Sequence, residues 1–168
     1  MASIVNAADA MLKVSDVEVT GRHGIGSGWV TVVIEGSVAD VQTAIAVGEI
    51  EAQRYGELIS SETIARPDER AQAAMPHGIG VVDLPDDQRD LGLIETQGVA
   101  PLIAGADAMV KAAAVDLCGW AFIGGALCHA VVRGDVAAVQ TAVEAGRRAA
   151  ADAGTVYATL VLPQPIAG

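Results

Sequence analysis

Two short runs in this chain offer backbone rather than side chains to a potential ligand. Gly24-Ile25-Gly26-Ser27-Gly28 and Ile123-Gly124-Gly125-Ala126 concentrate glycine in turns. Exposed N–H groups in such turns can form a concave site for an anion or a polar molecule, and the Ser27 hydroxyl adds a donor and an acceptor. The first run looks like a fragment of a nucleotide-binding loop. It joins two strands and opens no helix, which excludes that reading. Other candidates are sparse. Cys118 and Cys128 form no CxxC pair and lack a zinc-like His spacing, so they are expected to pack as small hydrophobes. His23 stands beside the first turn, and His129 lies within a strand pattern. No nucleophile–base pair, metal cluster or pair of poised carboxylates stands out. The expectation is a protein that is not an enzyme and holds no metal or cofactor.

The elements that position these turns come in two copies. AADAMLK at 7–13 returns as GADAMVK at 105–111, and GSVADVQTA at 36–44 returns as GDVAAVQTA at 134–142. Both pairs are 98 residues apart, as are Gly26 and Gly124, Gly48 and Gly146, Gly56 and Gly154, and Pro67 and Pro165. A gap-free offset of this kind marks a duplicated domain.

Each copy reads alike. Ile4, Ala8, Met11 and Leu12 recur at helical spacing over 3–14. A Val-rich strand follows at 16–22, then the glycine turn, then a β-branched strand at 29–35. Ser37 is placed to cap the next helix, and Asp135 to cap its counterpart. That helix runs to about Tyr55, with Gly56 where a left-handed terminating residue is expected. Residues 57–65 are predicted to be the last strand.

The second copy has one more element, LGLIETQG at 91–98, ahead of its helix. Its order is βαββαβ, an α+β, ferredoxin-like arrangement with antiparallel four-stranded sheet and helices on one face. The strand order 4-1-3-2 puts that first strand in the centre. The first copy starts at its helix and lacks it. Gly78-Ile79-Gly80-Val81-Val82-Asp83-Leu84 has a similar pattern of glycine, three apolar residues and an acid. The first domain is therefore predicted to be circularly permuted, with its first strand at about 78–84. The predicted divisions are 1–85, a linker at 86–90, and 91–168.

Composition bounds what such a repeat can do. The 168 residues are 52% hydrophobic but only 3% aromatic, with 19 glycines. Small side chains suit close packing, including against copies of the same chain. A net charge of −11 argues against nucleic acid and against an anionic membrane surface. No apolar run approaches the ~18 residues of a membrane span, and the start has no leader pattern, so a cytoplasmic protein is expected.

These residues resemble the bacterial microcompartment (BMC) shell domain. The likeness rests on Leu91–Gly98, on the ADAMLK-type helices at Ala8–Lys13 and Ala106–Lys111, on the glycine turns, and on Arg133–Gly146. It covers nearly the whole chain twice. The resemblance implies a structural shell protein of the tandem type, a homotrimer that acts as a pseudohexamer and tiles with other shell proteins around encapsulated enzymes. It implies that Ile25, Gly26, Ser27, Gly28, Ile123, Gly124, Gly125 and Ala126 line a central pore for small polar metabolites. Many relatives carry Lys before the turn, where this chain has Gly24 and Phe122, so an aromatic replaces a charge at the pore mouth. It also implies that Lys13 and Lys111 lie at the lattice edge, with Arg66 in an edge motif whose second copy has Gln164. Lys13 and Lys111 have an i,i+4 acid as an alternative partner, Asp9 and Asp107. Some tandem relatives hold an iron–sulfur cluster at the pore, but neither turn here has a cysteine. The alternative function is a trimeric, ferredoxin-like regulatory module that binds a small molecule.

Overall fold

The helix–strand–strand–helix unit of the repeat recurs in both halves, while the sheets differ. A computed structural model describes residues 2–72 and 89–165. The first half comprises α1 (Ala2–Val14), β1 (Val17–Gly24), β2 (Val30–Gly36), α2 (Val38–Tyr55) and a single turn of helix, α3 (Glu69–Gln72). The second comprises β3 (Asp90–Gln97), α4 (Val99–Ala112), β4 (Asp116–Gly124), β5 (Leu127–Gly134), α5 (Val136–Ala153) and β6 (Thr155–Leu162). The limits of α2 and α5 are themselves 98 residues apart at both ends. Among the described residues no helix is long and apolar enough to cross a membrane.

The second half builds an antiparallel sheet in the order β4-β5-β3-β6, with β3 in the interior as its sequence requires. Gly92, Ile94 and Thr96 alternate as the buried set along β3, facing α4 and α5. Ile94, Leu102, Met109, Val132 and Val139 are the centre of the main core. Backbone close approach sets how the helices meet. A Cβ at Gly146 would lie 2.4 Å from Met109 Cγ, and one at Gly48 would lie 2.7 Å from Met11 Sδ, the same contact one repeat earlier.

The first half differs in its sheet. Only β1 and β2 are paired, and residues 57–64, expected as a strand, join no ladder. The physical reason is the strand order: their hydrogen-bonding neighbour would be the counterpart of β3, and no described residue stands there. A groove of about 660 Å³ opens at that place, between β2 and residues 57–64 and above α1 and α2. The segment Gly78–Leu84, expected to supply this strand, lies outside the described residues. The first half has a small core of its own, Ala8, Met11, Val17 and Ala44, while Ile25 and Ala71 are buried in the core of the second half.

Two local expectations are corrected. Gly56 has φ −178° and is extended, because the chain leaves α2 straight into the 57–64 run. Asp135 occupies the N-cap of α5 but makes no capping hydrogen bond through its side chain, whereas Ser37 Oγ accepts from the Asp40 N–H at 3.2 Å. The shorter hydroxyl is also tied to the Asp40 carboxylate at 2.5 Å, which holds it at the helix end.

Candidate functional site

The fold brings the two glycine turns together. In the first, Trp29 N–H donates to Gly26 O at 3.0 Å and Ile25 N–H to Trp29 O at 2.9 Å. Ser27 and Gly28 hold the central positions with φ of 53° and 83°. In the second, Gly125 and Ala126 hold them with φ of 62° and 68°. Positive φ at both central residues is the geometry that matches strand twist in a two-residue hairpin. Ala126 adopts it without being glycine because its position is over-determined. Its N–H donates to Ile25 O at 3.1 Å, and its carbonyl accepts from Gly98 N–H at 2.8 Å.

Gly26 faces the other turn at van der Waals contact. A Cβ there would lie 2.9 Å from Gly124 Cα and 3.0 Å from Gly125 N, both backbone atoms that cannot swing aside. Glycine at 26 is thus required twice over, by this contact and by a φ of 87°.

The eight turn residues divide. Gly26, Ser27, Gly28, Ile123 and Gly125 are exposed, and Gly124 is half-buried. Ile25 and Ala126 are 3% and 0% exposed, so their side chains anchor the turns in the core and do not line a surface. Phe122, expected at the rim, packs edge-on against the buried Trp120 with ring centroids 4.7 Å apart. Its aromatic character is therefore spent on the sheet. His23 is half-buried on β1 opposite Thr31, and His129 sits in β5 opposite Glu95.

The edge candidates are not equivalent. Lys13 Nζ donates to Asp9 at 2.5 Å, and its side chain is 73% exposed. Lys111 Nζ meets Asp107 at 2.5 Å and also donates to Arg66 O at 3.0 Å, so two of the three edge candidates touch each other. Around them lies a clasp. Asp68 N–H donates to Asp107 Oδ1 at 2.7 Å, and Arg70 donates to Val110 O at 2.6 Å, closing an orphan carbonyl at the end of α4. Hydrogen bonds from Arg70 hold the Asp68 carboxyl down at about 2. Periodicity gives no sign of this clasp, because its partners are some 40 residues apart. The one signal is Asp107 itself, an acid on an otherwise apolar helix face. Arg66 and Gln164 share a left-handed backbone, φ 52° and 46°, so the repeat persists here in conformation while the side chain changes.

Among the described residues no group of three or more His, Cys, Asp or Glu could hold a metal ion. Cys128 is fully buried, its thiol donates to Ala126 O at 3.5 Å, and burial pushes its pKa up to about 12. Cys118 is partly exposed. A maleimide at pH 8 is therefore expected to label one cysteine per folded chain, Cys118, and the second only after denaturation. Mass spectrometry of the labelled peptide checks it; rapid labelling of Cys128 in the native protein contradicts it.

The BMC domain matches residues 1–67 and again residues 90–165. The chain belongs to the BMC domain family. The two matched stretches of this BMC protein carry one glycine turn each. It is 41% identical over 170 residues to a carboxysome assembly protein, CcmO, of Synechocystis sp., an alignment that covers 96% of this chain and 57% of the relative. The chain spans 57–62% of the length of the curated CcmO relatives it matches. It is also 53% identical over 75 residues to the microcompartment shell protein EutM of Escherichia coli, covering 45% of this chain and 77% of that one. A crystal structure of a microcompartment protein from Desulfitobacterium hafniense superposes with a TM-score of 0.73 at 28% identity, covering 99% of this chain and 90% of that one.

Proposed function

We propose that this BMC protein is a structural component of a microcompartment shell, assembling as a pseudohexameric trimer whose paired turns line a central pore for small polar metabolites. The observation that carries the reading is the junction of the two turns. Equivalent loops from the two halves lie side by side and are tied by the Ala126–Ile25 backbone bond, as adjacent members of one ring would be. Ser27 and Gly125, the tips of the two turns, are exposed together. Three copies would alternate a hydroxyl with bare backbone round the axis. The names of the relatives support a building role over catalysis. The relative matched over 96% of the chain is named for carboxysome assembly, which makes a carboxysome shell the first compartment to test.

Mass measurement in solution is expected to give a particle of three 17.0-kDa chains, and a stable monomer would reject the trimer. Ser27→Leu is expected to slow passage of a small polar solute across assembled shells at least several-fold while leaving the melting temperature within a few degrees. The side chain is exposed, although a larger residue at φ 53° carries some strain. Unchanged flux with leucine in place contradicts the pore assignment.

A further inference from the structure

The junction between the two halves is one step of a repeat, and the second half carries the same surface again, uncovered. Ile25 is 3% exposed because it is buried in the core of the second half, whereas its counterpart Ile123 is 55% exposed. Ile59 and Ile64 pack against that same core, and their counterparts Tyr157 and Leu162 are exposed. A Cβ at Gly26 would meet the backbone of Gly124 and Gly125, while one at Gly124 would meet nothing within 4 Å. The receiving side shows the reverse. Ile103 on α4 lines the groove beside residues 57–64 and is 6% exposed, whereas its counterpart Val5 on α1 is 50% exposed. Residues inside each half do not split in this way: Met11 and Met109, and Ala44 and Ala142, are buried in both. The uncovered apolar residues therefore fall into two sets, one on each half, and each set has a counterpart that the other half covers.

We propose that the second half of one chain docks on the first half of a second copy, head to tail, by repeating the contact that joins the halves within a chain. Ile123, Gly124, Tyr157, Ala158 and Leu162 form one face. Val5, Gly56 and the turn Gly26–Gly28 form the other. In the repeated contact, Gly28 N–H donates to Ile123 O of the neighbouring copy, as Ala126 N–H donates to Ile25 O within one chain. Burial of the apolar side chains supplies the attraction, and the main-chain bond fixes the alignment. A second copy is the occupant because each face already meets the counterpart of its partner inside a single chain. The two faces differ, so the contact is heterologous and runs on until a ring closes. Each chain brings two turns, and closure at three chains is the trimer proposed above, on which this interface rests.

Disulfides read the contact, with a control inside the chain. A Cβ at Gly154 would lie 3.4 Å from Ser60 Cβ, near the ~3.5–4.5 Å of a disulfide. Ser60→Cys with Gly154→Cys should therefore link within the chain, and it sets the oxidation conditions. The counterparts are Ala158 and Gly56, both exposed, and Gly56 is extended with φ −178°. In full-length protein carrying Cys118→Ser, Ala158→Cys with Gly56→Cys is expected to link most chains to one another. Non-reducing electrophoresis should show bands of two and three chains. Cys128 is buried and stays out of the exchange. Either single variant should link at least five-fold less, because neither face meets itself. Tyr157→Asp should raise the concentration at which trimers dissociate at least ten-fold, with an unchanged circular dichroism spectrum.

Mass in solution separates the interface from the trimer itself. Trimers whose Ala158→Cys, Gly56→Cys chains do not link, or link no more than Ala158→Cys alone, overturn the interface and leave the trimer standing. Trimers indifferent to Tyr157→Asp do the same. Monomers that do not link overturn both. Bands beyond three chains uphold the head-to-tail contact and overturn closure at three.

Discussion

Chains carrying both Lys13→Ala and Lys111→Ala are expected to fold and to form trimers, yet to yield no extended sheets or tubes by electron microscopy. The fold has little to lose at Lys13. Its ion pair with Asp9 is exposed on both sides, and such pairs contribute at most ~1 kcal/mol. What alanine removes is a long stem free to lie along the surface of an adjoining particle while its ammonium finds new acceptors. Lys111 is different, since it also holds the Arg66 carbonyl. Removing it leaves the Asp107 carboxylate with the Asp68 N–H and loosens the clasp, at a cost of ~1–3 kcal/mol for hydrogen bonds to charged groups. The single variants should therefore separate. Lys13→Ala should abolish most sheet formation at unchanged melting temperature, and Lys111→Ala should lower both. Normal sheets from the double variant would remove the edge assignment from both lysines.

The largest loss of stability is expected from Gly146→Val. The new Cβ starts 2.4 Å from Met109 Cγ, with the Gly105 carbonyl at 3.0 Å behind it, and Met109 is fully buried. Forcing extra carbons into a filled core costs ~1–3 kcal/mol, and more where backbone is the obstacle. At ~2–4 °C per kcal/mol for a chain of this size, the melting temperature should fall by ~5–10 °C. Gly48→Val is the internal control. Its first clash is with the Met11 thioether, in a smaller core, so it should cost less. Thermal denaturation followed by circular dichroism ranks the two; equal losses would mean that the halves are packed alike.

How much of this was legible beforehand depends on the range of the interaction concerned. The offset of 98 residues located the helices, because each copy checks the other. Local turn chemistry located the two hairpins, since glycine and serine are needed where φ is positive. That no strand precedes α1 as β3 precedes α4 among the described residues was legible from LGLIETQG standing in one copy alone. The state of residues 57–64 was not, because a strand exists only if its neighbour does, and that neighbour is remote in sequence. The same holds for Ile25 and Ala126. Turn residues are usually exposed, and only the packing of one turn on the other buries them. The Lys111–Arg66 contact also lies beyond any local pattern: the resemblance puts both residues at the lattice edge, and nothing in the sequence says that they touch.

The bond between Ala126 and Ile25 separates two properties that a loop usually confounds. The pair is held by a main-chain bond and by the buried Ile25 and Ala126, so the exposed Ser27 side chain is not among the groups that tie the turns together. Chemistry at the tip can then vary while the scaffold keeps its dimensions. Duplication adds a second freedom: a substitution at 27 leaves 125 untouched, so an opening built from both would change by alternate members, in half-steps unavailable to a ring of identical units. Under the proposed pore reading, such a chain would lend itself to retuning at two separate positions, 27 and 125, on one frame.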